Sequence, residues 1–478
     1  MDLKKAAMIN ACSKGFIIVI QLISAGILAR LLSPTDYGTF AVIVVFVNFF
    51  MVISDIGFIS AVIQKKNLSE DDLSHIFSVT VYLGLILAVV FIGVSRILVI
   101  VYDSPVYFHM GLQLGISVLF SSMNAVPEAI LMRQKRFLMS ALRNISTRLM
   151  AGILAIILAI GGFHVYALIW QTVFATVLTF VINAYVTKVH FKLIPNFNPV
   201  RSLLRFSIFQ TLFDVVNFFS RNVDNLIAGK VFGKEKLGLY NKAYTLTLYP
   251  INNLAGVVSP VLHPILSDYQ SDTETLYRKL MPVIRLFGVV AAFIAPFCFF
   301  EGRELILILF GNQWLESVRC FQFLAFSLYA QMLNQCISAG FQSLGKTKLM
   351  FINGLINTSI TIVAILIGIF HCGDIYGLAL CVSVAYILRF FIAYFILLRY
   401  GFEKSYFSFI REVFPEIGML LVMFGASVFI HLSIENIYLS FVVKGGIMTG
   451  LYALLLFVSG DWKLIRDVLF SSKRGETA

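Results

Sequence analysis

Charged residues are scarce in this chain: they make up 13% of its 478 residues, whereas hydrophobic residues make up 59%. So little charge cannot cover a folded core with a hydrated surface, which excludes a water-soluble globular protein. Apolar runs of about 20 residues, enough to cross a hydrocarbon layer of about 30 Å, recur along the whole chain. The composition therefore predicts a polytopic membrane protein.

Cysteines are also few, and they show no pattern of a metal or redox site. The six lie mostly inside apolar runs, with no CxxC pair and no histidine at ligand spacing. We interpret them as small apolar packing residues and expect neither a metal nor a cofactor. No small-residue cleavage site follows the first apolar run, so we expect that run to be retained.

The apolar runs predict an all-α membrane protein with about fourteen transmembrane helices. The predicted spans, with approximate ends, are 9–30, 38–63, 76–101, 107–131, 144–162, 165–187, 203–229, 240–266, 281–301, 316–342, 348–370, 375–398, 413–432 and 436–459.

Basic residues mark one side of this predicted bundle. Most of them lie in the short connections on the side of the N-terminus. Few lie on the opposite side: Lys230, Lys234, Lys236, Lys242 and Arg303. Because basic loops stay in the cytoplasm, we predict that both termini are cytoplasmic. The net charge of +12 follows from this topology and does not indicate nucleic-acid binding.

Two segments near the starts of the two halves look like copies of one another. The matched pairs are Asn10/Gln210, Lys14/Asp214, Gln21/Arg221, Ser24/Asp224 and Gly38/Gly238. Residues 137–168 also align with residues 348–378, so six helices map onto six helices. Because six is even, both halves cross the membrane in the same sense, which is a parallel repeat of the kind found in transporters.

The repeat predicts the domain organisation. We expect an N-lobe at residues 1–190 with helices 1 to 6, a linker at 191–202, and a C-lobe at 203–400 with helices 7 to 12. Residues 401–478 then form two appended helices and a cytoplasmic tail. Pro195 and Pro199 make the linker the natural hinge between the lobes.

Two stretches resemble the lobe-opening signatures of a known family. Residues 29–42, ARLLSPTDYGTFAV, and 221–244, RNVDNLIAGKVFGKEKLGLYNKAY, are similar to the polysaccharide transporter family, the bacterial flippases of lipid-linked oligosaccharides, and most to its colanic-acid and teichuronic-acid exporter type. The resemblance spans essentially the whole chain, with the two C-terminal helices the least distinctive part.

The resemblance implies an alternating-access protein of the bacterial cytoplasmic (inner) membrane, with a V-shaped cavity between two six-helix lobes. Its cargo would be an undecaprenyl-diphosphate-linked repeat unit of a capsule, exopolysaccharide or O-antigen. Membrane lipids and the polysaccharide polymerase or export machinery are the implied partners, and coupling to H⁺ or Na⁺ stays open.

Polar residues in the predicted helices supply the expected substrate site. A charge near the bilayer centre costs about 2.5 to 3.5 kcal/mol or more, so such residues face water, a partner or a substrate. Stripes on helices 1, 7 and 12 give the expected cavity residues, which are Lys14, Gln21, Gln210, Asp214, Asn217, Arg221, Asp224 and Arg389. The cations suit a diphosphate, and the amides suit sugar hydroxyls.

An internal polar network is the alternative for these residues. Arg221 and Asp224, at i and i+3, can pair with each other, and Asp214 can neutralise Lys14. Nearer the predicted cytoplasmic ends, we expect Asp55, Glu128, Arg148 and Arg285 to be anchors or gate pairs. These four are the remaining ionisable residues that the sequence singles out within the predicted helices.

The run Gly340–Thr347, GFQSLGKT, satisfies the P-loop pattern with Lys346 in the position of the phosphate-binding lysine. A P-loop follows a buried strand, whereas this run ends one apolar helix and begins another. We therefore interpret the match as coincidence and the segment as a basic cytoplasmic turn.

Two other function classes stay open. An ion-coupled multidrug extruder of the same superfamily would share the architecture and would use Asp214 or Asp224 as its cation site. A membrane polysaccharide polymerase or ligase would also be polytopic, but such enzymes present a large outer loop, which this sequence lacks. We therefore expect a transporter and not an enzyme.

Overall fold

The computed structural model describes residues 3–55, 58–65, 68–197, 218, 222–267, 272–429 and 434–463, and among these it gives no side-chain positions for 3–14, 55, 60, 61, 64, 254–267 and 347. The described residues form helices and connections, with no β-strand. The helices are α1 (Leu3–Leu31), α2 (Pro34–Asp55), α3 (Phe58–Gln64), α4 (Glu70–Tyr102), α5 (Val106–Arg133), α6 (Phe137–Ile160), α7 (Val165–Thr187), α8 (222–231), α9 (Gly233–Ser267), α10 (Thr273–Phe300), α11 (Gly302–Phe310), α12 (Ser317–Phe326), α13 (Leu328–Ser343), α14 (Thr347–Ile367), α15 (Ile375–Ile396), α16 (Tyr406–Glu412), α17 (Phe414–Phe429) and α18 (Ile437–Ser459).

Nine of the described helices are long and apolar enough to span a membrane, or ten if the bent pair of α16 and α17 forms one span. π-helical turns extend α14 to Cys372 and α15 to Phe402. The prediction of an all-α polytopic membrane protein is confirmed. The number fourteen stays a prediction, since several predicted spans include residues outside the described ranges.

The chain packs as two compact units, Met1–Gly238 and Leu239–Ala478. In the first unit, α4 and α7 both pack on α5, and α6 packs on α1 and α7. In the second unit, α10 packs on α13 and α17, and α15 packs on α12 and α14. Buried residues such as Phe287, Phe341 and Tyr394 join α10, α13 and α15 in the core of the second unit. The lobe boundaries drawn from the sequence stay a prediction.

Several helices begin where a side chain satisfies free backbone N–H groups. At the start of α4, Ser69 Oγ accepts from Asp72 N at 3.0 Å, and Asp72 Oδ2 accepts from Ser69 N at 3.0 Å. Ser33 and Asp36 form the same reciprocal pair at the start of α2, at 3.2 and 3.0 Å. Such pairs satisfy N–H groups that the first helical turn leaves free, so they fix where the helix begins.

The segment after α7 lies against α4. Tyr82 Oη donates to the Leu193 carbonyl at 2.6 Å, Lys192 N donates to Ser78 Oγ at 2.7 Å, and Asn196 N donates to His75 Nδ1 at 3.0 Å. The first part of the predicted linker is therefore held by the first unit.

One predicted span, 316–342, is two helices in the structure. The helices α12 and α13 are separated at Ser327, whose hydroxyl donates to the Leu324 carbonyl at 2.8 Å and accepts from Gln331 Nε2 at 2.9 Å. A serine that binds a nearby carbonyl competes with the helical hydrogen-bond pattern. An apolar run conceals such a break, because hydropathy does not register one small polar residue.

Two glycines that match in the sequence repeat meet in the structure. A Cβ atom placed at Gly38 on α2 would lie 1.6 Å from the Lys234 carbonyl oxygen on α9. A Cβ atom at Gly238 would lie 1.9 Å from the Pro34 carbonyl oxygen. The starts of α2 and α9 therefore cross with backbone against backbone. The contact is reciprocal, because each glycine meets the residue that lies four positions before the other glycine. We call this the Gly38–Gly238 crossing.

Candidate functional site

Most of the expected cavity residues fall outside the part of the chain whose side chains the structure describes: Lys14, Gln210, Asp214, Asn217 and Arg221. Gln21 is half-buried on α1. Asp224, on α8, is only 4% exposed, and its Oδ1 accepts from the backbone N–H of Asn225 at 2.8 Å. These two belong to the first unit, whereas Arg389 belongs to the second.

Arg389 is the centre of a polar cluster inside the second unit. Its Nη1 donates to Thr361 Oγ1 at 3.1 Å, and its guanidinium lies 5.1 Å from the ring centroid of Tyr386. The Tyr386 hydroxyl in turn lies 2.8 Å from the Tyr244 hydroxyl. We call these four residues the Arg389 cluster; they come from α9, α14 and α15.

The cluster lies at mid-depth. Arg389 is near the middle of the span Ile375–Phe402, and Thr361 is near the middle of the span Lys348–Cys372. A guanidinium there is costly unless it meets polar partners or an anionic ligand. The hydroxyl of Thr361 and the aromatic face of Tyr386 supply part of that stabilisation.

Two amides precede Thr361 on α14 at helical spacing. Asn353, Asn357 and Thr361 are four residues apart, which places them on one stripe of the helix. The Oδ1 atoms of Asn353 and Asn357 are buried and accept no hydrogen bond from any residue that the structure describes. Buried amide oxygens without a donor are costly, and each can accept a hydrogen bond from a hydroxyl group that reaches it.

A cation, hydroxyls and amide groups on neighbouring helices suit a ligand that is both anionic and rich in hydroxyl groups. Guanidinium groups bind phosphate oxygens through two parallel N–H bonds, and tyrosine and asparagine bind hydroxyls. No group of three or more histidine, cysteine or acidic side chains suited to a metal occurs among the described residues. The arrangement can hold a ligand but shows no nucleophile with an adjacent base.

A second buried polar network lies in the first unit, around Arg143 of α6. The Arg143 side chain is only 5% exposed. Its guanidinium forms two hydrogen bonds with the Glu128 carboxylate of α5, and its Nη1 donates to Asn183 Oδ1 of α7 at 2.7 Å. The Asn183 amide then donates to Glu128 Oε2 and to Asn124 Oδ1, each at 2.8 Å. Glu128 was expected to be an anchor or gate residue, and it joins three helices in an ion pair whose groups are mutually satisfied.

Arg285, also expected to be an anchor or gate residue, binds two acids in the second unit. It contacts Glu416 of α17 and Asp461, which follows α18. Neither acid was singled out from the sequence, because both lie beyond the repeated helices.

The P-loop-like run connects two helices, as expected. It ends α13 and begins α14, and Lys346 Nζ donates to the Tyr400 carbonyl at 3.0 Å and to the Gly401 carbonyl at 2.8 Å. The lysine therefore satisfies backbone oxygens at the end of the span that contains α15.

Sequence reasoning missed Tyr244, Tyr386, Asn357 and Thr361, because it searched the predicted spans mainly for charge. The fourfold spacing of Asn353, Asn357 and Thr361 is a signal that would have identified this stripe. Tyr244 lies in one of the signature stretches, but nothing in the sequence places it beside Tyr386.

The helices define a multi-pass membrane protein, and its fold is shared with a solved membrane protein. It matches a structure described as the lipid II flippase MurJ in an inward closed conformation, with a TM-score of 0.74 and 16% identity over 95% of this chain and 99% of that one.

Relatives by sequence include an uncharacterized membrane protein in the cps region of Klebsiella pneumoniae, 24% identical over 97% of this chain and 96% of the relative. The lipopolysaccharide biosynthesis protein WzxC of Escherichia coli K12 is 21% identical over 84% of this chain and 82% of its own length. Residues 27–319, more than half of the chain, match the family described as polysaccharide biosynthesis protein. The chain belongs to that family.

Proposed function

We propose that this protein is a flippase that carries an undecaprenyl-diphosphate-linked oligosaccharide across the bacterial cytoplasmic membrane by alternating access. The glycan would be a precursor of a capsule, an exopolysaccharide or an O-antigen. Membership of a polysaccharide biosynthesis family and the fold of a flippase both support this assignment.

The Arg389 cluster is the observation that carries the proposal. A diphosphate bears negative charge, and its sugars present many hydroxyls, which is the chemistry that Arg389, Thr361, Tyr386 and the α14 amides match. The other expected substrate-binding residues are those drawn from the sequence: Lys14, Gln21, Gln210, Asp214, Asn217, Arg221 and Asp224. Their role stays part of the proposal.

The finer topology is also proposed. The distribution of basic residues supports cytoplasmic termini and a place in the inner membrane. The sequence repeat supports an N-lobe at 1–190, a linker at 191–202, a C-lobe at 203–400 and appended helices at 401–478. Association with a polysaccharide polymerase or export machinery, and coupling to H⁺ or Na⁺, would follow from the same role.

The test uses the host strain with the gene deleted and then complemented by variants expressed to equal level. We expect Arg389→Ala to abolish surface polysaccharide. Arg389→Lys should restore part of it, because lysine keeps the charge but loses the planar fork. Arg399→Ala is the matched control: Arg399 lies in the same span but is exposed near its end, so we expect normal export.

Surface polysaccharide at the wild-type level in the Arg389→Ala strain would contradict the proposal. The multidrug extruder would be favoured instead if the deletion strain still exports polysaccharide normally but is sensitive to small cationic drugs. In that case Asp224 would be the first residue to test, since it is buried and acidic.

A further inference from the structure

Arg285 divides its guanidinium between two carboxylates. Its Nε donates to Glu416 Oε1 at 2.6 Å, and its Nη2 donates to Asp461 Oδ1 at 2.7 Å. The Nε and Nη2 groups form the edge that ordinarily binds both oxygens of a single carboxylate. Here each acid uses one oxygen, so the two carboxylates lie side by side.

The second oxygen of each acid is left over. Glu416 is 0% exposed and Asp461 is 5% exposed, and neither Glu416 Oε2 nor Asp461 Oδ2 has a hydrogen-bond partner among the described residues. The hydroxyl of Tyr329 on α13 is also buried without a partner in that part of the chain. A Cβ atom placed at Gly288 would lie 3.5 Å from this hydroxyl oxygen and 3.3 Å from Glu416 Cγ, so both groups lie close to Gly288.

The charges in this cluster do not balance. Among the described residues, Arg285 is the only cation in contact with Glu416 or Asp461. Of the other titratable groups nearby, Glu412 of α16 accepts from Tyr277 of α10, and Tyr452 of α18 donates to the Val289 carbonyl. Two cations lie near these groups without contacting either acid: Lys404, over the Tyr277 ring, pairs with Glu274, and Lys463, two residues after Asp461, is exposed. Two buried, ionised carboxylates on one half-buried guanidinium would leave one uncompensated negative charge.

We propose that Glu416 and Asp461 form a proton-binding site in which the two carboxylates share one proton. The proton lies between Glu416 Oε2 and Asp461 Oδ2, so one acid donates a hydrogen bond and the cluster becomes neutral with Arg285. Adjacent carboxylates in the active sites of other proteins hold a proton for the same reason, because two like charges side by side do not both ionise. A proton fits better than a metal ion, since the site offers few free oxygens and no third acidic ligand.

This site lies where α17 and α18 are held against α10, because Arg285, Glu416 and Asp461 join these three elements. The proposal is independent of the flippase assignment, since its test measures a protonated carboxyl group and not transport.

The Arg143 network supplies a matched control within the same chain. There a single carboxylate, Glu128, binds one guanidinium with both oxygens, so no proton is needed. A substitution of acid to amide should therefore have opposite effects at the two sites. Asp461→Asn keeps Glu416 as the counter-ion of Arg285, whereas Glu128→Gln removes the only carboxylate that contacts Arg143 among the described residues.

The experiment uses the full chain in lipid nanodiscs at neutral pH, with choline as the only monovalent cation. Infrared spectroscopy measures the carbonyl band of protonated carboxylic acids, and thermal unfolding gives the Tm. We expect Asp461→Asn and Glu416→Gln each to lose part of the wild-type band, and Asp461→Asn to keep the wild-type Tm. We expect Glu128→Gln to keep the band but lower the Tm, and Glu416→Gln with Asp461→Asn together to lower the Tm.

Two results would overturn the proposal. If the band is unchanged in both single variants, both acids are ionised and the cluster only anchors α17 and α18. If replacing choline by Na⁺ removes the same part of the band from the wild-type protein, the site takes sodium and not a proton. A band lost in the single variants and insensitive to Na⁺ supports the shared proton.

Discussion

Replacing Gly38 by alanine should destabilise the protein through the Gly38–Gly238 crossing. The new Cβ would lie 1.6 Å from the Lys234 carbonyl oxygen, whereas carbon and oxygen atoms in close contact lie about 3.3 Å apart. The starts of α2 and α9 would therefore have to separate by about 1.7 Å. Both atoms in the clash are close to the backbone, so no side-chain rotation relieves it.

The expected cost follows from overpacking. Forcing extra atoms into a packed contact costs about 1 to 3 kcal/mol, and helix propensity returns up to about 1 kcal/mol when glycine becomes alanine. For a protein of this size, each kcal/mol shifts the Tm by about 2 °C or less. With the full propensity gain the net cost is about 0 to 2 kcal/mol, so we expect the Tm of Gly38→Ala to fall by up to about 4 °C.

Thermal unfolding of purified protein measures this effect, with Gly93→Ala as the control. Gly93 lies on α4 with no heavy atom within 4 Å of the added Cβ, so its Tm should be unchanged or slightly higher. Gly238→Ala should resemble Gly38→Ala, and the double variant should lose less than the two single losses added together, since both open the same crossing. A Gly38→Ala protein as stable as Gly93→Ala would refute the reasoning.

Four further outcomes are expected. Glu128→Gln leaves the buried Arg143 guanidinium without its carboxylate and should cost about 3 to 5 kcal/mol in unfolding free energy, measured by denaturant titration. Burial and then the neighbouring Glu304 carboxylate raise the pKa of Glu301 from 4.5 to about 7. The folded state therefore binds this proton more tightly than the unfolded state, so stability falls as pH rises from about 4.5 to 7, and Glu301→Gln should raise the Tm at pH 8 but not at pH 4. Lys346→Ala should keep polysaccharide export with at most a small loss of Tm, and the purified protein should show no saturable ATP binding by calorimetry. Cysteine labelling in cells should place one group of positions in the cytoplasm and the other outside, and outside labelling at Lys192 would contradict the six-plus-six repeat. The cytoplasmic group is Lys66, Lys135, Lys192 and Lys346, and the outside group is Asp36, Gly162, Lys234 and Gly373.

The helical membrane fold could be predicted from the sequence because lipid imposes one dominant rule. Each span must satisfy its own backbone, so hydropathy alone locates most helices. The break at Ser327 escaped this rule, since it depends on one hydroxyl binding one carbonyl. The starts of α4 and α2, by contrast, follow from local capping residues that are readable in the sequence.

The polar contacts were harder to predict than the helices. Charge at depth drew attention to Arg389, Glu128 and Arg285, because a charge inside a membrane protein needs polar partners, and each of the three has such a partner in the structure. Their partners come from distant helices, and the sequence does not say which faces meet. The pairing of Arg285 with Asp461 joins residues that no periodicity relates.

The Gly38–Gly238 crossing also constrains how the protein is made. Synthesis at about 5 to 20 residues per second means that α2 leaves the ribosome on the order of 10 to 40 s before the start of α9 does. During that interval the bare glycine surface of α2 has no helix to cover it, although the rest of the first half can already pack. Because the surface that finally covers it is a repeat copy of the same segment, a second nascent chain that has exposed its own Gly38 presents a closely similar surface. We therefore expect that keeping neighbouring nascent chains apart during membrane insertion reduces pairing between copies of this protein.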